Sequence, residues 1–210
     1  MQASGKGSTV AIFGAGPVGQ MAAACARMLG AERIFMVDHH AFRLEHAVTA
    51  YGVEAINFDD VDDPAQYIVD RTDHRGVDGS IDCVGFEAKG STLETVLTTI
   101  KAEGSSGHVI RQAIAATRRG GTVSFPGLYA GFIHAFLIGD AFDKGLTFKC
   151  GQTHVQKFMP GLLEEILAGN LNPDIVISHR LSLDSAAEGY KMFDEKQDGC
   201  RKVVLVPETA

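Results

Sequence analysis

Val10-Ala11-Ile12-Phe13-Gly14-Ala15-Gly16-Pro17-Val18-Gly19 is the stretch on which the reading of this chain turns. An apolar run ends abruptly in glycine, and Pro17 to Leu29 continues as a long Ala-rich apolar pattern of helical length. The order is strand, tight turn, helix. A G-x-G-x-x-G pattern is weak by itself and acquires physical meaning only in this context. Gly14 permits the tight turn, Gly16 lets backbone approach a diphosphate with no Cβ in the way, and Gly19 lets helix and strand pack closely. Pro17 costs the helix nothing in its first turn, where its missing N–H would be unpaired anyway. The free N–H groups around Val18, together with the helix dipole, attract phosphate.

Outward from this turn, Gly30 closes the helix, and Ile34 to Val37 is a second apolar run with Asp38 at its carboxyl end, completing a βαβ unit. Asp38 lies about 20 residues beyond the turn, where a carboxylate accepts hydrogen bonds from the adenosine ribose hydroxyls. It selects NAD over NADP, because it would repel a 2′-phosphate. His39 and His40 read as an exposed loop rim rather than as metal ligands. Arg43 on the next helix either reaches the ribose or phosphate or is a solvated helix charge, and the sequence leaves both open.

Helix over His40 to Tyr51, strand over Ala55 to Phe58, helix over Pro64 to Arg71 and strand over Gly79 to Val84 follow. Lys89 to Gly107 reads as an inserted excursion. A helix over Val109 to Arg118, stopped by Gly120-Gly121, precedes a strand over Thr122 to Phe125, an irregular or helical stretch over Phe132 to Phe142, and a sixth strand over Leu146 to Cys150. Alternating helices and short, wholly apolar strands specify an α/β fold: a doubly wound, Rossmann-type parallel sheet of about six strands with helices on both faces. Ligands of such sheets lie over the carboxyl ends of the strands, which nominates Cys83, Val84 and Gly85, and Gly127, Leu128 and Tyr129, as lining for the nicotinamide half. The expected division is a dinucleotide-binding domain over 1–151 and a C-terminal segment over 152–210. That segment comprises an amphipathic helix at Gln156 to Ala168, a strand-like stretch at Ile175 to Leu181, a helix at Asp184 to Asp194 and a strand at Arg201 to Val206. It is too short for a core of its own.

Composition excludes several classes of function. A net charge of -7 with no cluster of Lys and Arg argues against nucleic acid or an anionic membrane as partner. Cys25, Cys83, Cys150 and Cys200 form no C-x-x-C pair, and each reads as a small buried apolar side chain in a reduced, cytoplasmic setting. Met1 to Ser8 lacks the features of a signal peptide, and no stretch is apolar for long enough to span a bilayer. The histidines form no H-E-x-x-H, and no G-x-S-x-G is present, so neither a catalytic set nor a metal site is assigned.

On these residues the chain resembles the zinc-dependent medium-chain alcohol dehydrogenases from about Lys6 to Val206. The likeness is greatest to the branch containing glutathione-independent formaldehyde dehydrogenase. It is carried by the glycine turn, by Ile81-Asp82-Cys83-Val84-Gly85-Phe86-Glu87-Ala88, by Ser124-Phe125-Pro126-Gly127-Leu128-Tyr129 and by Gly151-Gln152-Thr153-His154-Val155-Gln156. The resemblance implies that Arg43 contacts the adenosine ribose, that Val84, Gly85, Leu128 and Tyr129 flank the nicotinamide ribose and ring, and that Arg201 reaches the pyrophosphate. It also implies that the Lys89 to Gly107 insertion helps cover the cofactor. Family members hold their catalytic zinc in an amino-terminal domain with no counterpart here. The expectation is therefore NAD(H) binding, with little or no alcohol oxidation by this chain unaided. A stand-alone, NADH-responsive regulatory subunit is the alternative; a methyltransferase shares the strand-turn-helix start, but the G-x-G-x-x-G spacing favours the dinucleotide. The resemblance further implies a homodimer in which the edge strand over 146–150 pairs with its copy, removing an unpaired edge.

Overall fold

The structure, a computed structural model, describes residues 5–84, 105–126 and 136–207. Six parallel strands form one sheet in the order β3-β2-β1-β4-β5-β6: β1 is Thr9–Phe13, β2 Arg33–Asp38, β3 Glu54–Asn57, β4 Val77–Asp82, β5 Thr117–Phe125 and β6 Thr147–Cys150. Helices α1 (Pro17–Met28), α2 (Ala41–Tyr51), α3 (Pro64–Asp70), α4 (Ser105–Ala116) and α5 (Ile138–Lys144) connect them. The chain leaves β1 in opposite directions across the sheet, so the sheet is doubly wound and its switch point lies at β1 and β4.

The apolar runs are continuous because both faces of the central strands are covered. Val10 and Ile12 of β1 join Ile34 and Met36 of β2 in a cluster with Ala23, Ala26, Leu44 and Ala47 of α1 and α2. The alternate residues, Ala11, Phe13, Phe35 and Val37, join Ile68 of α3, Ile114 of α4 and Val123 of β5 on the other face. Period-two alternation thus feeds two cores; Val10 to Phe13 of β1 is apolar on both faces, whereas β4 buries Ser80 and Asp82.

Two boundaries differ from expectation for one physical reason. The helix before β5 ends at Ala116, and β5 starts at once with Thr117, so Arg118 lies in the strand. Val77 pairs with Thr117 and Gly79 with Thr122, so the residues between, including Gly120 (φ +68°) and Gly121, form an irregularity in the ladder and not a helix stop. With no linker, the last carbonyls of α4 need another donor. Lys144 Nζ supplies it, donating to Ile114 O at 3.0 Å, Ala115 O at 2.8 Å and Thr117 O at 2.9 Å.

After β6 come α6 (Val155–Leu167), a 3₁₀ turn at Pro173–Val176, β7 (His179–Ser182), a 3₁₀ turn at Leu183–Ser185, α7 (Ala186–Asp194) and β8 (Val203–Val206). The strand-like stretch at Ile175 to Leu181 is thus a 3₁₀ turn followed by a strand. β7 and β8 form their own two-stranded parallel sheet. The helix α7 lies close on it, since a Cβ on Gly189 would stand 3.1 Å from both Leu181 Cδ1 and Val203 Cγ1. α6 buries none of its residues and exposes Val155, Met159, Leu163 and Leu167. Of the cysteines, Cys200 is buried and Cys25 and Cys83 partly so; Cys150 is exposed, against expectation, because it ends the outermost strand. No helix among the described residues is long and apolar enough to cross a membrane.

Replacing Lys144 with Met should lower stability by about 1–3 kcal/mol, since partly buried carbonyls lose a charged donor. Urea denaturation should show a lower midpoint at an unchanged slope.

Candidate dinucleotide site

The site is built at the carboxyl end of β1. Gly14 has φ +95° and donates its N–H to Val37 O at 2.8 Å, fixing the turn against β2. A Cβ on Gly14 would stand 3.2 Å from the Cys83 carbonyl and from Val84 Cγ2, and one on Gly19 would collide with the Gly14 carbonyl oxygen. These two glycines are therefore required by packing. Gly16 differs. It caps α1 with φ -66°, and the nearest atom to a Cβ placed there is Arg43 Nη1, at 4.0 Å. Among the described residues, neither backbone angle nor packing demands glycine at this position, and nothing but the Arg43 guanidinium comes within 4.0 Å of a Cβ placed there.

The N-terminus of α1 points into that space. Gly16 makes no side-chain cap bond, Pro17 occupies the first turn, and no acidic side chain there neutralises the dipole. Asp38 lies across from it. Its Oδ2 accepts the Ala15 N–H at 2.6 Å, and its Oδ1 accepts the N–H groups of His39 at 2.7 Å and His40 at 2.9 Å. The expected ribose anchor is thus also the clamp between the glycine turn and the end of β2. Arg43 is 8% exposed, so it is no solvated helix charge, and its Nε is buried with no hydrogen-bond partner. A buried, unpaired guanidinium nitrogen beside an uncapped helix start matches an anionic ligand.

Cys83 and Val84, expected to line the nicotinamide half, stand against the turn, with the Cys83 N–H donating to Phe13 O at 2.8 Å. Burial and the adjoining Asp82 charge push the Cys83 thiol up, so it carries no thiolate at neutral pH. Asp82 is fully buried; burial pushes its carboxyl up to about 7, against the opposing effect of the Val84 N–H donated to its Oδ1 at 2.9 Å. Gly85, Gly127, Leu128, Tyr129 and most of the expected insertion lie outside the described residues.

Two residues at the site escaped sequence reasoning. Gln20, fully buried, donates from Nε2 to Ala15 O at 3.2 Å and Arg43 O at 2.9 Å. His46 Nδ1 meets Gln20 Oε1 at 3.0 Å, and its Nε2 meets Ile175 O at 3.0 Å, tying the C-terminal segment to α1 and α2. The available signal was a lone amide in an Ala-rich helix face next to the third glycine. Arg201 stands near His46 and Tyr51; burial, and then the Arg201 charge, lower the His46 pKa. The Nε of Arg201 is likewise buried without a partner.

Comparisons with known proteins find relatives in sequence and in fold. The zinc-binding dehydrogenase family profile matches residues 17–106. An uncharacterized zinc-type alcohol dehydrogenase-like protein, AdhB, of Bacillus subtilis is 38% identical over 202 residues, which are 96% of this chain and 53% of that protein. The chain is thus similar to zinc-type alcohol dehydrogenases over nearly all of its own length. Other relatives include the glutathione-independent formaldehyde dehydrogenase of Bacillus subtilis, 32% identical over 96% of this chain and 50% of its own length. Among solved structures, alcohol dehydrogenase TADH from Thermus sp. ATN1 superposes with a TM-score of 0.82 at 31% identity, over 97% of this chain and 53% of that one. A short chain alcohol dehydrogenase from E. coli CFT073, solved in complex with NADH, shares the fold, with a TM-score of 0.77 at 18% identity over 97% of this chain and 53% of its own. The chain spans about half the length of the curated relatives it matches.

The described residues fit a dinucleotide and do not fit the family's catalytic zinc. Among them, the three-residue group of His, Cys and carboxylates close enough to share an ion is Asp38, His39 and His40, where β2 runs into α2. No zinc-assisted step is therefore derived from this chain.

Replacing Gly19 with Ala should unfold the turn and lower the melting temperature along with cofactor binding. A variant with wild-type melting would disprove the close packing. Asp82 has its folded pKa raised from about 3.9 to about 7. Its stabilising effect is complete below about pH 4 and lost as pH rises through 7. The stability gained by Asp82→Asn should therefore grow between those limits and level off above them, as read by denaturation at a series of pH values.

Proposed function

We propose that this chain is the NAD(H)-binding part of a zinc-type alcohol dehydrogenase and that it binds the cofactor without oxidising alcohols by itself. The observation that carries this reading is the open space at Gly16, a glycine kept where neither φ nor packing requires one. A pyrophosphate there receives the first-turn amides of α1, with the Arg43 guanidinium beside it. Asp38 accepts a ribose hydroxyl and repels a 2′-phosphate. Cys83 and Val84, at the end of β4, line the way to the nicotinamide, joined in this reading by Gly85, Gly127, Leu128 and Tyr129, and Arg201 closes on the pyrophosphate from the C-terminal side. The bound nicotinamide accepts a hydride at C4. The chain's own residues bind and orient it, and the zinc that holds the alcohol belongs to the other half of the family's fold.

In this reading residues 1–151 form the cofactor domain and 152–210 pack against that other half, for which the bare apolar side of α6 is the contact surface. β6 lies at the open edge of the sheet and pairs with its copy in a homodimer. The same bare side would suit a regulatory subunit's partner, and an NADH-dependent complex with an unrelated protein would favour that second reading.

NADH titration by fluorescence should show saturable binding, with NADPH weaker, and no turnover of short alcohols when zinc is added. Gly16→Ala should lose about tenfold or more in affinity, from one or two charged hydrogen bonds, while its melting temperature stays the same. Calorimetry showing no heat with either NAD+ or NADH would overturn the reading.

A further inference from the structure

The loop after β2 carries a feature that dinucleotide binding does not explain. His39 and His40 are sequence neighbours, yet their rings meet, with centroids 4.0 Å apart and Nε2 to Nε2 at 3.0 Å. With metal–nitrogen bonds of about 2.05 Å, two nitrogens that far apart subtend about 94° at a shared ion. That angle is near the cis angle of the tetragonal and octahedral geometries that Ni²⁺ and Cu²⁺ prefer, and narrower than a tetrahedral one. The ligand atoms of Asp38, His39 and His40 all lie within 4.8 Å of one another. His39 is exposed and His40 partly buried, so the pair opens to solvent.

Asp38 is nearly saturated. A carboxylate offers roughly four lone-pair positions. The N–H groups of Ala15, His39 and His40 take three of them, which leaves about one for any ligand. A ribose hydroxyl and a metal ion cannot both have it.

We propose that a late first-row divalent ion, Ni²⁺ or Cu²⁺ in type, is chelated by His39 Nε2 and His40 Nε2 with Asp38 as third ligand, and that this ion and the adenosine ribose exclude one another. The second half rests on the cofactor reading above; the first does not. Asp38 attracts the cation, whereas the Arg43 and Lys196 charges felt at His40 oppose it. Holding the ion therefore depends on bonds to imidazole nitrogen, which Ni²⁺ and Cu²⁺ form well and Mg²⁺ and Ca²⁺ poorly. The site is far in kind from the family's alcohol-binding zinc: it lies at the adenosine end and acts on occupancy by the cofactor.

The test uses the full chain, stripped of metal. Calorimetric titration with Ni²⁺ should show a class of sites absent with Mg²⁺ and lost in His39→Ala and in His39→Gln, both at an exposed position that the fold tolerates. Heat unchanged in both variants overturns the chelate. NADH titrated in saturating Ni²⁺ should bind about fivefold or more weakly than without it in the wild type, and Ni²⁺ should not shift binding in His39→Ala. Equal NADH affinity with and without Ni²⁺ overturns the exclusion. If NADH fails to bind even without Ni²⁺, the cofactor reading and the exclusion fall together, and the calorimetry still decides the chelate.

Discussion

The Asp38 carboxylate is the interaction on which the site depends. By accepting the Ala15 N–H at 2.6 Å, it holds the glycine turn in register with the end of the second strand, although the two lie 23 residues apart in sequence. By accepting the His39 and His40 N–H groups as well, it shapes the loop that leads into α2. A buried charge that receives three N–H donors is well compensated, and each donor would be costly to orphan. The turn, the end of β2 and the start of α2 therefore stand or fall together.

A second network backs the first. Gln20 bonds to the Ala15 and Arg43 carbonyls and to His46, which reaches Ile175 in the C-terminal segment. Burial and the Arg201 charge lower the His46 pKa, and both atoms that meet its ring nitrogens are oxygens. The C-terminal segment is thereby fixed to the back of the glycine turn, and Arg201 is brought to the same flank. The segment's own sheet of β7 and β8 stays apart from the six-stranded sheet, and α6 keeps its apolar side open.

The sequence by itself determined the sheet class, the βαβ start and the glycine turn, because each is a local pattern: an apolar run, a break and a helical period within a few turns of chain. Asp38 was legible for the same reason, since its place at a strand end is set by spacing. The boundary at Thr117 was not, because a helix that passes directly into a strand depends on Lys144, a donor far along the chain. Only the tertiary structure separated the glycines: Gly14 and Gly19 answer to neighbouring backbone, whereas no backbone among the described residues crowds Gly16. It alone buried Arg43, joined Gln20 to His46 and brought the two imidazoles together, for such meetings are fixed by packing between elements and leave no periodic trace in the chain.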